Sequence, residues 1–200
     1  MSSPRVIVFG GPSGAGKTTL VRRLLELPGV RLAVSATTRP PRPGERDGVD
    51  YHFVDERRFE EMREGGELLE WALVHGHHYG TPRSELLARS PEERAVVLDI
   101  DLQGLRNIKK LGIDHVSVFI APPSLEALEK RLRERGTETG ASLATRLEAA
   151  ARELAARDEY DHVVVNDQVE EAFATLRRIL GLEGGADVEG GNPTSAGRCK

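Results

Sequence analysis

The sequence predicts an α/β fold, a parallel sheet flanked by helices. Short β-branched runs alternate with longer amphipathic stretches, and the first run is closed at once by a glycine-rich turn. Val6-Ile7-Val8-Phe9, ended by Gly10 and Gly11, has the continuous apolar character of a strand covered on both faces. Ala95 to Leu98, Val116 to Ile120 and Val163 to Val165 repeat that character. Helical stretches are expected at Lys17 to Leu27, Pro82 to Arg89, Leu102 to Leu111, Leu125 to Arg135, Ser142 to Arg157 and Val169 to Leu180. Thr81 before Pro82 has the form of an N-cap with proline at the first helical position, and Gly136 that of a C-terminal stop.

Two segments interrupt the alternation: a polar, arginine-rich insertion at 34–81, and a link at 136–141 expected to be flexible between two charged helices. From Glu183 onward the chain is rich in glycine and small polar residues, so 183–200 is expected to be a disordered tail. The chain has 200 residues, enough for one ordinary domain, and a net charge of −4, which gives no basis for a nucleic-acid partner. The single cysteine, Cys199, excludes an intrachain disulfide and a cysteine metal cage and suits a reducing compartment. The run at 6–9 is too short for a signal peptide or a membrane span, so a cytoplasmic protein without a membrane partner is expected.

The chemistry is concentrated first in Gly11-Pro12-Ser13-Gly14-Ala15-Gly16-Lys17-Thr18, which matches the phosphate-binding loop pattern and lies between a strand and a helix, where that loop must be. Its glycines let successive backbone N–H groups turn toward the phosphates of a nucleoside triphosphate, with ATP and Mg²⁺ the expected pair. Lys17 would neutralise the β/γ oxygens and Thr18 would ligate Mg²⁺, with Thr19 completing the ATP-binding run. Asp99, at the end of a second buried strand, is placed to reach the same Mg²⁺ directly or through water; the alternative is that it caps the next helix.

The insertion carries Ser35-Ala-Thr-Thr-Arg39-Pro-Pro-Arg42 and Asp50-Tyr51-His-Phe, then Glu70-Trp71 and Tyr79-Gly80-Thr81. With these motifs the chain resembles the guanylate kinases, which phosphorylate GMP with ATP. The resemblance runs from about Arg5 to about Leu180 and takes in Val97 to Gly104, Ile120 to Ser124, Arg135 to Thr139 and Val164 to Asp167. It implies the nucleoside monophosphate kinase fold with a phosphate loop, a GMP-binding insertion and a helical lid. The implied division is a single kinase domain at 1–182, with core segments 1–33, 82–124 and 158–182, the insertion at 34–81 and the lid at 125–157.

The same resemblance implies that Arg39, Arg42, Tyr51 and Tyr79 hold the GMP phosphate while Ser35, Glu70, Thr81 and Asp101 read the guanine. The chemistry agrees. Arginine's planar fork suits a phosphate carrying close to two charges, and a carboxylate can take both N1 and N2 protons of guanine while hydroxyls donate to O6. Adenine would set an acceptor against that carboxylate, so GMP is expected over AMP. Taken singly, Arg39 and Arg42 would be read as solvated surface residues, and only the ensemble makes them ligands.

The resemblance also makes Arg131 an adenine-stacking residue, brings Arg135 and Arg146 to the transferring phosphates, and sets Asn166 near the adenine. Without it, these arginines read more readily as a solvated helix face balanced by Glu126, Glu129, Glu134 and Glu148. Lys17, Arg39, Arg135 and Arg146 are the expected catalytic set. His75, His77 and His78 lack the carboxylate spacing of a metal site; the family more often has Asn-Tyr where His77-His78 stand. Two other classes compete: a phosphotransferase acting on AMP, a pyrimidine nucleotide or a sugar phosphate, and a non-catalytic scaffold module of the same fold. Glu70 with Ser35 and Thr81 disfavours the first, and the intact loop disfavours the second. Nothing in the sequence sets the oligomeric state.

Overall fold

A computed structural model describes residues 5–74, 76–87, 92–134 and 140–183, with the backbone alone at 140–142. In chain order, β1 (Arg5–Gly10) leads into α1 (Lys17–Leu25) and β2 (Val30–Leu32). The insertion then supplies β3 (Ala36–Thr37), β4 (His52–Phe53), α2 (Glu56–Glu64), β5 (Leu68–Val74) and β6 (His77–Pro82), followed by the short α3 (Ser84–Leu87). Next come β7 (Ala95–Asp99), α4 (Leu102–Lys110), β8 (His115–Ala121), α5 (Leu125–Glu134), α6 (Gly140–Ala155), β9 (His162–Val165) and α7 (Val169–Leu180).

Five strands form a parallel sheet in the order β2-β7-β1-β8-β9. Its centre reads as an apolar run because both faces are covered. Ile7, Phe9, Val97 and Ile120 face Leu20, Leu24 and Leu176 of α1 and α7, while Val6, Val8, Val96 and Leu98 face Leu105 and Ile108 of α4. This arrangement delivers the C-terminal ends of β1 and β7, and the loops that follow them, to one edge of the sheet, where ligands bind in open α/β sheets.

The insertion is a second sheet rather than a polar loop, with order β4-β3-β6-β5 and mixed pairing. It has a small core of its own: Ala36, Phe59, Met62 and Leu68 are buried together. The Asp55 carboxylate accepts from the Arg58 N–H at 2.7 Å and so starts α2. Two expected boundaries are corrected here. The chain at Thr81-Pro82 is still strand, pairing with β5, and the following helix begins only at Ser84, because the Thr81 hydroxyl is committed to Glu70 instead of capping. The expected helix at Ser142–Arg157 begins at Gly140, ends at Ala155 and gives way to a 3₁₀ turn at Arg157–Glu159. Arg135, the greater part of the 136–141 link, His75 and the tail beyond Glu183 lie outside the described residues.

The lid helices α5 and α6 share their own cluster, with Leu128 and Leu132 against Leu143 and Ala150. Among the described residues no helix is long and apolar enough to cross a membrane.

Candidate active site

The loop between β1 and α1 turns through Gly11, Gly14 and Gly16, all at positive φ. Gly16 is the N-cap of α1 at φ 89°, and a Cβ there would strike the Asn166 amide, so two constraints act on one residue. The helix has no side-chain cap and no acidic residue in its first turn. Its positive end is therefore open toward whatever the loop encloses. By contrast α4 is capped, since the Asp101 carboxylate accepts from the Gly104 N–H at 2.8 Å. That resolves the alternative for Asp99: the cap is Asp101, and Asp99 instead pairs with Lys17 at 2.8 Å.

Loop and insertion face one another across a single cavity of about 610 Å³. Gly11, Pro12, Ser13, Gly14, Gly16, Lys17 and Thr18 line one wall, and Ser35, Tyr51, Glu70 and Tyr79 line the other. Asp99 and Asp101 lie between them at the ends of β7 and its loop. Ala15 is buried within the loop and Thr19 is exposed on α1.

Glu70 is 5% exposed, and Thr81, fully buried, donates its hydroxyl to Oε1 at 2.6 Å. Burial pushes the Glu70 carboxyl up to about 7; the Thr81 hydroxyl works against that rise and the like charge of Asp101 adds to it. Room for this carboxylate comes from α4, because a Cβ on Gly104 would lie 2.8 Å from Glu70 Oε2.

Arg39 is 9% exposed and stands behind the cavity wall, its guanidinium 5.3 Å from the Tyr51 ring centroid. Tyr51 and Tyr79 meet edge to face at 5.9 Å. Arg39 is held by Glu45, a residue the sequence reading missed: Glu45 Oε1 accepts from Arg39 Nη2 at 2.9 Å and Oε2 accepts from the Arg42 N–H at 2.7 Å. The bond from the Arg42 backbone, with that from Arg39, holds the Glu45 carboxyl below the usual range. Arg42 is exposed on the turn. An acidic residue after Pro43-Gly44, in an arginine-rich loop, was the available signal.

On the far side of the loop, Asn166 is 2% exposed and donates to the Ala15 carbonyl at 2.8 Å, while its Oδ1 has no partner among the described residues. Arg131 donates to the Asn166 carbonyl at 3.0 Å and thus ties the lid to the turn after β9. Arg146 is exposed on α6. His78 Nδ1 lies 2.9 Å from Glu56 Oε2 and its ring stacks on Phe59 at 5.1 Å. Among the described residues no group of three or more His, Cys, Asp or Glu side chains could hold a metal ion. Two further residues of the cavity carried no sequence signal, Glu153 of α6 and Tyr160 before β9.

A parallel sheet ending in a phosphate loop, a second sheet across the cavity and a two-helix lid define the class of nucleoside monophosphate kinases with a phosphate loop. The family profile described as guanylate kinase matches residues 3–183. Curated relatives named guanylate kinase include one from Rhodopseudomonas palustris, 49% identical over 89% of this chain and 82% of its own, and one from Corynebacterium jeikeium, 46% identical over 90% and 97%. The crystal structure of guanylate kinase from Anaplasma phagocytophilum superposes with a TM-score of 0.72 at 35% identity, covering 92% of this chain and 87% of that one. The chain belongs to the guanylate kinase family.

Proposed function

We propose that the chain transfers the γ-phosphoryl group of ATP to GMP, giving ADP and GDP, within purine nucleotide metabolism and GMP recycling in the cytoplasm. The observation that carries the choice of acceptor is Glu70 with Thr81: a buried carboxylate and hydroxyl pair on the wall opposite the phosphate loop. Guanine offers two adjacent donors to such a carboxylate, and adenine does not.

The loop Gly11–Thr18 and Thr19 would hold the ATP phosphates, with Arg131 and Asn166 toward the adenine and Arg135 and Arg146 toward the transferring group. Arg39, Arg42, Tyr51 and Tyr79 would hold the GMP phosphate, and Ser35, Glu70, Thr81 and Asp101 its base. The whole would act as one kinase domain whose insertion and lid close on their substrates. Thr18 and Asp99 present hard oxygen donors on the loop side of the cavity and so fit Mg²⁺ carried in with ATP; the ion would neutralise charge on the phosphates. Lys17 would exchange its bond to Asp99 for the β/γ oxygens.

A GMP phosphate oxygen then forms the new bond to the γ-phosphorus. The bond to the β–γ bridging oxygen breaks, and its electron pair leaves with ADP. Because the second pKa of a phosphate monoester is near ~6, that oxygen needs no catalytic base at pH 7. Catalysis is the alignment of two polyanions among cations with water shut out.

Coupling ADP release to added GMP, AMP, CMP and UMP tests the acceptor. GMP is expected to exceed the others by on the order of 10⁴ in kcat/KM, and equal turnover of AMP would overturn it. ATP hydrolysis without GMP, at a rate matching transfer, would overturn closure.

A further inference from the structure

Glu153 and Tyr160 line the cavity but have no part in gripping either the base or the phosphates. Glu153 is an exposed residue on the cavity side of α6, and among the described residues its carboxylate accepts no hydrogen bond and forms no ion pair. Partial desolvation by the cavity walls pushes its carboxyl up, with Lys17 opposing and Asp101 adding to the rise. Beside it Tyr160 is 8% exposed, its ring edge-on to Phe119 at 5.2 Å. Its hydroxyl lies over Gly10 and makes no hydrogen bond among the described residues. Two polar groups from separate elements, neither hydrogen-bonded to another described residue, thus open onto one cavity.

Glu153 shares one cavity with Glu70 and Asp101 of the proposed base pocket and with Lys17 of the phosphate loop, and both Asp101 and Lys17 are near enough to act on its charge. The part of an acceptor nucleotide that joins its base to its phosphate is its sugar, and ribose hydroxyls are donors that a carboxylate accepts.

We infer that Glu153 is a specificity residue of the acceptor site, taking a hydrogen bond from a ribose hydroxyl of the nucleoside monophosphate when α6 closes over it. This rests on the acceptor assignment above. A second consequence is that the lid reads the acceptor's sugar as well as covering the donor.

The test compares kcat/KM for GMP, 2′-deoxy-GMP and 3′-deoxy-GMP in wild type and Glu153→Ala, with ATP and 2′-deoxy-ATP as donors. Wild-type turnover of GMP tests the acceptor assignment separately. Wild type is expected to disfavour one deoxy acceptor by about tenfold or more, the size of a hydrogen bond to a charged group. In Glu153→Ala that penalty is expected to fall to near one, while any preference between the two donors stays as it was. Because the readout is a ratio between acceptors, a general loss of activity cancels. If melting curves show that alanine unfolds the lid, Glu153→Gln makes the same comparison, with the penalty expected to fall by about threefold or more. An unchanged penalty in the folded variant, no penalty in wild type, or loss of discrimination between the donors instead would each overturn the inference.

Discussion

The loop at Gly11–Thr18 surrounds its cavity wall with backbone, whereas the opposite wall is made of side chains carried on a sheet whose shortest strands are two residues long. The first is fixed by the fold around it: β1 pairs on both sides, and Asn166 pins Ala15 from behind. The second depends on side-chain pairs, Arg39 with Glu45 within the loop after β3 and Glu70 with Thr81 across β5 and β6. A backbone grip is indifferent to most substitutions except those that add a Cβ. A side-chain grip can be changed residue by residue, and substrate choice is therefore expected to be decided on the acceptor side.

Removing a charge from the backbone side is expected to have the largest effect. Lys17→Ala should lower kcat by roughly 10³, the scale of one lost transition-state donor, in an assay of ADP release. Retained turnover would mean that the loop amides suffice. On the other wall, Glu70→Gln should lower kcat/KM for GMP by on the order of 10² while changing the KM for ATP little.

The same variant separates binding from stability. Since the folded Glu70 carboxyl sits at about 7, above its ordinary value of 4.5, the folded state holds that proton more tightly. Stability is therefore expected to fall as pH rises from about 4.5 through 7, and Glu70→Gln should melt higher than wild type at pH 8 but not at pH 4, by on the order of 2 kcal/mol. Binding runs the other way, because guanine needs the ionised carboxylate. The KM for GMP in wild type should rise about tenfold from pH 8 to pH 6, above the range where the phosphate itself is mostly protonated, and most of this rise should be lost in Glu70→Gln. The smallest effect belongs to Glu45→Gln, which frees Arg39 without removing it: the KM for GMP is expected to rise by about tenfold with the KM for ATP unchanged.

The same contrast explains what the sequence disclosed. The phosphate loop is legible because its glycines and lysine are consecutive, and their spacing is itself the mechanism. The three central strands β1, β7 and β8 are legible because a strand covered on both faces has an unbroken apolar run, while β9 at the sheet edge shows through its Val163-Val164-Val165 run although only Val164 is buried. Val30–Leu32 escaped notice because three residues, one of them Arg31, make no such run. Helix α2, with Phe59 and Met62 its only buried residues among charged ones, lacks a wide apolar stripe. In the insertion, pairing of β3 with both β4 and β6 spans long loops, so local propensity carries little of it. Glu153 and Tyr160 were invisible for a related reason: no spacing rule joins them to residues more than a hundred positions earlier that line the same cavity.

The only tryptophan of the chain, Trp71, directly follows Glu70 on β5 and lies with the Arg63 guanidinium 5.1 Å from its ring centroid. It is partly exposed at 36%. Ultraviolet emission excited at the red edge of protein absorption therefore originates in the β4-β3-β6-β5 sheet, and the half of the molecule that carries the phosphate loop is dark. Titrating unlabelled protein with either nucleotide alone would separate the two occupancies optically.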